Sequence, residues 1–139
     1  MNALRWLGRA RCLTFTVACL EAEYETIRAR MENVTQNYNG DTGTGTKDPH
    51  KLDALAVAAG NLETARDELE TAKQEIRKAI NRLDNPRERL ALRLYYVRGL
   101  SWPEVSREMK ISVRRVLDIR KDAIEHITPI IEENGNDKD

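Results

Sequence analysis

Apolar residues recur at alternating steps of four and three along the first part of the chain: Trp6, Ala10, Leu13, Val17, Leu20, Tyr24, Ile27, Met31 and Val34. That period places all nine on one stripe of a helix, so residues 4–34 predict a long amphipathic helix with a heptad seam. A second stripe predicts another helix over 51–84: Leu55, Ala58, Leu62, Ala65, Leu69, Ala72, Ile76, Ala79 and Leu83. Large and small side chains alternate along it, and the alanines let a partner helix come close. Its opposite face carries Glu63, Asp67, Glu70, Lys73 and Arg77, and Lys73 and Arg77 repel at i,i+4, so the apolar seam rather than surface charge must hold this helix. Between the two lies TQNYNGDTGTGTKDPH, residues 35–50, a run of turn-forming residues. It lacks the Walker pattern and follows no apolar strand, so it reads as a solvated connector rather than a phosphate loop. Two helices of similar length, each about 45 Å long at the helical rise, joined by such a connector predict an antiparallel hairpin.

Asn85-Pro86-Arg87-Glu88 then stops the second helix and starts a third. Asn85 caps, Pro86 suits the first helical position, and Glu88 completes a capping box. The third helix, about 87–98, is expected to bury Leu90, Leu94 and Val97, with Gly99 closing it and Leu100 as the apolar contact beyond.

The densest pattern follows at Ser101–Lys121, SWPEVSREMKISVRRVLDIRK. It reads as a helix-turn-helix. Ser101 and Glu104 make the box that starts the first helix, and Ser112 is the N-cap of the second. Val105 and Met109 face inward from the first helix, Val116 and Ile119 from the second, and Ile111 plugs the turn. Ser106 is small where the helices come closest. One position departs from the usual pattern: Lys110 occupies a turn site that favours glycine, because the backbone there tends to be left-handed. The last helix is expected to start at Ser112 and run through His126, and 134–139, NGNDKD, to be disordered. The chain is therefore read as all-α. Residues 1–84 form a coiled-coil-like helical hairpin for dimerisation or partner binding. Residues 85–128 form a helix-turn-helix DNA-binding region, and 129–139 a tail, largely disordered.

Charge supports that assignment. The formal net charge is zero, but it is unevenly spread. Residues 1–20 contain Arg5, Arg9 and Arg11 and no acid. Residues 86–126 hold ten Lys/Arg against six Asp/Glu, a net of +4, and 127–139 carry a net of −3. The basic excess coincides with the helix-turn-helix, where phosphate would be met. Cys12 and Cys19 lie seven apart, roughly 10 Å along a helix, too far for a disulfide within it. A reducing cytoplasm is the expected setting, and under oxidation the pair could cross-link two chains. His50 and His126 lack zinc-ligand spacing with the cysteines, so no metal or cofactor is expected. The early arginines and CLTFTVACL look faintly like a signal peptide, but the apolar run is short, broken by threonines, and its period continues past residue 20. No stretch is long enough to span a membrane.

From Asp84 onward the chain resembles region four of bacterial sigma-70-type factors, through PRERLALRLYYVRGLSWPEVSREMKISVRRVLDIRKDAI. More broadly it is similar to small phage and prophage proteins of Gram-positive bacteria, a family of unknown function akin to late-gene transcription regulators of the ArpU and RinA types. GDTGTGTKDP, AINRLDNPRERLALRLYYVRGLSW and ISVRRVLDIRKDAI carry that likeness. In sigma region four the start of the recognition helix touches bases and phosphates. The resemblance places those contacts on Ser112, Val113, Arg114, Arg115, Leu117 and Asp118. Val113 and Leu117 are apolar where the sigma factors usually carry polar residues, so their −35 preference does not transfer.

These readings point to a non-enzymatic regulator that binds double-stranded DNA. Arg114 is the candidate for base readout. Arg115, Arg120 and Lys121, with Arg107 from the preceding helix, are candidates for phosphate. The hairpin would supply a homodimer contact or a surface for host RNA polymerase. Trp6, Leu7 and Phe15, which a two-helix seam leaves uncovered, favour the dimer. The alternative is a protein-interaction module that binds polymerase or another helical partner with little DNA affinity of its own. Neither histidine has a nucleophile or acid partner at motif spacing, so no enzyme is read here.

Overall fold

The computed structural model describes residues 2–37 and 49–136, and side chains within 2–32 and 52–133. Every regular element among them is helical: α1 (Ala3–Leu7), α2 (Arg9–Asn37), α3 (Pro49–Asn81), α4 (Pro86–Leu92), α5 (Trp102–Met109) and α6 (Val113–Asn136). A π-helical turn, Arg93–Val97, continues α4. Of the connector expected over 35–50, residues 38–48 lie outside the described residues, as do 137–139 of the expected tail. No described helix is long and apolar enough to cross a membrane.

The chain divides into two compact units: Met1–Cys12 with Leu69–Asp139, and Leu13–Glu68. The division falls within α2 and α3, not at residue 84, where the apolar seam ends. In the Leu13–Glu68 unit α2 and α3 run antiparallel. Arg66 donates to Glu21 at 2.9 Å. Glu21 and Tyr24 share one groove with Leu62 and Arg66, while Ile27 and Arg30 share another with Asp53 and Ala54. Numbers rise along one helix as they fall along the other. The protected side chains of α2 are the heptad positions: Val17 is buried, and Leu13, Leu20, Tyr24, Ile27 and Met31 are half-buried. Val34 lies outside the described side chains. On α3, Ala58, Leu62 and Ala65 are buried and Leu55 half-buried.

The other unit is built around α6, against which α1, α4 and α5 pack. Leu7, Ile76, Ile80, Leu92 and Ile127 are fully buried in it, each contributing about 1.5–3 kcal/mol by leaving water. Three expectations are corrected here. The first helix is interrupted at Gly8, and Trp6 and Leu7 are buried rather than available to a partner. Leu90 is 45% exposed, and Ala91 and Leu92 are buried in its place. Finally α6 runs on past His126 and through Pro129 to Asn136, so 129–136, expected within a largely disordered tail, is helical. The reason is a buried stripe, Ala123, Ile127 and Ile131, that continues beyond the proline. An ion pair from Arg82 to Glu133 at 3.0 Å adds to it.

The link from α3 to α4 is held from the side by arginines. Arg89 donates to the carbonyls of Leu83 and Asp84 at 2.6 and 3.2 Å, and Arg93 to Asn81 Oδ1 at 2.7 Å. Asn85 caps α4 by accepting from the Arg87 N–H. Glu88 does not complete the expected box: its carboxylate is buried and hydrogen-bonded to His126.

Candidate nucleic-acid interface

Ser101 starts α5 through both halves of a capping box. Its Oγ accepts from the Glu104 N–H at 3.3 Å, and the Glu104 carboxylate accepts from the Ser101 N–H and hydroxyl at 3.3 and 2.9 Å. Those bonds, from the hydroxyl first, hold the Glu104 carboxyl below its ordinary value. At the other end Lys110 adopts φ 59°, ψ 40°, the left-handed conformation its position requires. Its N–H bonds to Arg107 O, and the Ile111 N–H to Ser106 O, so two of the carbonyls ending α5 are satisfied. Ser112 then caps α6, its Oγ accepting from the Arg115 N–H at 3.2 Å.

Inside this frame Val105 and Val116 are fully buried against Ala91, Leu94 and Ile119, with Met109, Ile111 and Leu100 packed around them. Ser106 is buried, and its hydroxyl donates to Pro103 O at 2.7 Å. The inward positions are those the sequence specifies. Gly99 sits at φ +79°, as a helix-closing glycine should. The closure is one residue wider than usual, because the π turn displaces it: the Leu100 N–H reaches Leu94 O.

That turn also directs the Tyr95 carbonyl to Arg11. Arg11 Nη1 donates to Tyr95 O at 3.0 Å and Leu100 O at 3.3 Å, and its guanidinium lies 4.1 Å from the Tyr95 ring centre. Tyr95 stacks on Trp102 at 4.0 Å with the planes 8° apart. The Arg120 guanidinium lies 5.4 Å from the far partner, Trp102. The result is a four-layer stack, arginine–tyrosine–tryptophan–arginine, joining the start of α2 to the helix-turn-helix. Burial pushes the Tyr96 phenol pKa up, and the nearby Arg120 charge draws it back. The Arg120 Nε is enclosed with no hydrogen-bond partner.

The expected contact residues therefore separate. Ser112, Val113, Arg114, Arg115, Leu117, Asp118 and Lys121 are all exposed on α6. Val116, Ile119 and Ala123 fix the buried side of the helix. Opposite it, at 100° per residue, fall Arg114, Asp118 and Lys121; Val113 and Leu117 form one flank, and Arg115 the other. Arg107 is exposed on α5 and shares a shallow groove with Leu100, Glu104 and Lys110. Arg120 differs from them: it is half-buried, with its guanidinium 5.4 Å from the Trp102 ring centre and its Nε enclosed. Arg11, Tyr95 and Trp102 carried no sequence signal. Arg11 acts on backbone carbonyls more than eighty residues away, and such a partner leaves no pattern.

A short helix and the start of a long one meeting on a buried valine pair, with a left-handed turn and a capped second helix, define a helix-turn-helix. Residues 85–127 match the family Sigma-70, region 4. That match marks a DNA-binding helix-turn-helix region of the kind used generally in transcription regulation. No curated protein and no solved structure matches the chain.

Proposed function

We propose that this chain is a phage-type transcription regulator, akin to the ArpU and RinA kinds and acting in a bacterial cytoplasm, that reads duplex DNA with the start of α6. The observation that carries this reading is the outward row of α6. Arg114, at the end that enters a major groove in such motifs, and Lys121, two turns further along, stand on the side of the helix opposite its buried core. Arg114, two residues past the cap, meets base edges. Arg115, Lys121 and Arg107 meet phosphate, and Ser112 and Asp118 complete the contact surface. Host RNA polymerase is the second partner in this reading, since sigma-like ends also bind it.

The Leu13–Glu68 unit supplies the homodimer contact in this reading. Phe15 is 77% exposed and Val57 61% exposed, which suits a self-association surface. The same residues favour the alternative, an interaction module that recruits a helical partner and has little DNA affinity.

The deciding experiment selects a duplex from a random pool and titrates binding against salt. Arg114→Ala should cost about 1–3 kcal/mol on the selected site and relax one or two base preferences. Arg115→Ala should weaken all duplexes alike and shallow the salt slope by about one unit. If the double variant, still folded, binds as tightly as the parent at the same salt, the interaction-module reading replaces this one.

A further inference from the structure

Val113 and Leu117 are large apolar side chains left 40% and 41% exposed on the helix that presents Arg114 and Lys121. They stand one turn apart on the same flank. Neither belongs to the core of the helix-turn-helix: the buried side of α6 is filled by Val116, Ile119 and Ala123, and Ile111 packs at the turn. Leaving both in water is unfavourable, and they lie beside the helix N-terminus rather than in the unit with the exposed phenylalanine.

We infer that Val113 and Leu117 form a thymine-methyl reader, so that the preferred duplex carries two adjacent thymines on one strand beside the base pair met by Arg114. This rests on the DNA-binding reading above and deepens it. The C5-methyl of thymine is the only apolar group on a major-groove base edge. Side chains at i and i+4 stand about 5–6 Å apart at Cβ. Successive bases on a strand rise about 3.4 Å, and helical twist widens the separation of their major-groove methyls. Two branched side chains one turn apart therefore span two stacked methyls, not one and not three. Arg114, on the neighbouring row, suits a guanine O6/N7 edge next to them. Asp118 follows it by one turn and suits the N4 amino group of a cytosine, so polar readout flanks the apolar pair on one side only.

The test isolates the methyl. The duplex selected from a random pool is remade with each thymine replaced in turn by uracil, which keeps every hydrogen-bonding group and removes only the C5-methyl. Two adjacent replacements should each weaken binding roughly fourfold, the worth of one buried methyl group, and others should have no effect. Val113→Ala/Leu117→Ala should bind the thymine duplex more weakly and no longer distinguish it from the uracil duplex. Both side chains are exposed, so the variant's melting temperature should match the parent's, and Arg114→Ala should retain the uracil effect. Equal binding of thymine and uracil duplexes by the parent overturns this inference while leaving DNA binding intact. Persistence of the uracil effect in the double alanine variant overturns it too. A parent chain that binds no duplex overturns the DNA-binding reading and this one together.

Discussion

The imidazole of His126 meets the buried carboxylate of Glu88 at 2.8 Å, Nδ1 to Oε1, and so ties α6 to the first turn of α4. The hydrogen bond to Glu88, then its charge, raises the His126 pKa above the ordinary 6.5; Asp122 and Glu125 add to the shift and partial desolvation opposes it. A raised folded-state value means that the bond's contribution is complete below the unfolded pKa and is lost as pH rises through the folded one. Denaturation between about pH 5.5 and 8.5, bracketing the ordinary histidine pKa, should show the parent losing stability towards alkaline pH relative to His126→Gln. Parallel pH profiles would count against the pair as a titrating link.

Lys110 is the one non-glycine residue with positive φ among the described residues. Left-handed backbone costs an L-residue about 1–2 kcal/mol, while a glycine gives back about 0.4–1 through a freer unfolded chain. Lys110→Gly should therefore stabilise by about 0.5–1 kcal/mol, read as a higher denaturation midpoint at unchanged slope. A lower midpoint would mean that the lysine side chain makes a contribution larger than its strain.

Arg11→Ala removes two charge-assisted hydrogen bonds and one face of the aromatic stack. The expected loss is about 1.5–3 kcal/mol, with altered near-ultraviolet circular dichroism from the Tyr95–Trp102 pair. Arg11→Lys should recover only part of it, because an ammonium can neither fork between two carbonyls nor lie flat on a ring. Full recovery by lysine would show that charge alone mattered.

Leu62 is buried in the α2–α3 seam and Phe15 stands outside it. Leu62→Ala should destabilise the hairpin by about 2–5 kcal/mol. Phe15→Ser should leave dilute-solution melting unchanged and remove any concentration dependence of light-scattering mass. If Phe15→Ser melts as low as Leu62→Ala, the division between an inner seam and an outer contact is wrong.

The seam of α2, the caps at Asn85, Ser101 and Ser112, the inward set of the helix-turn-helix and even the left-handed Lys110 were legible in the sequence. Each follows from a local rule whose partners lie within a few residues or repeat with a fixed period. The rest depended on distant or irregular geometry. The π turn at Arg93–Val97 shifts the period, so Leu90 could not be told from its buried neighbours. Glu88 fits a capping box as well as it fits His126, and only the packing of α6 on α4 decides. Arg120 has the sequence context of any exposed cation, and only the fold sets it over Trp102. Pro129 is an ordinary stop signal, overridden by Ile127 and Ile131.

At the 2.8 Å contact between Arg9 and Glu75 the chain leaves the α6-centred unit along α2 and returns to it along α3. Everything from Leu13 to Glu68 is thus an excursion whose two roots already stand side by side. The fully buried residues of the α6-centred unit, Leu7, Ile76, Ile80, Leu92 and Ile127, all lie outside that excursion. The opening dozen residues belong to that unit: a truncation at the family match would discard Leu7 and Arg11, leaving a hole in the core and an unanswered pair of carbonyls. The α6-centred unit is made of the two ends of the chain, not of its C-terminal third alone.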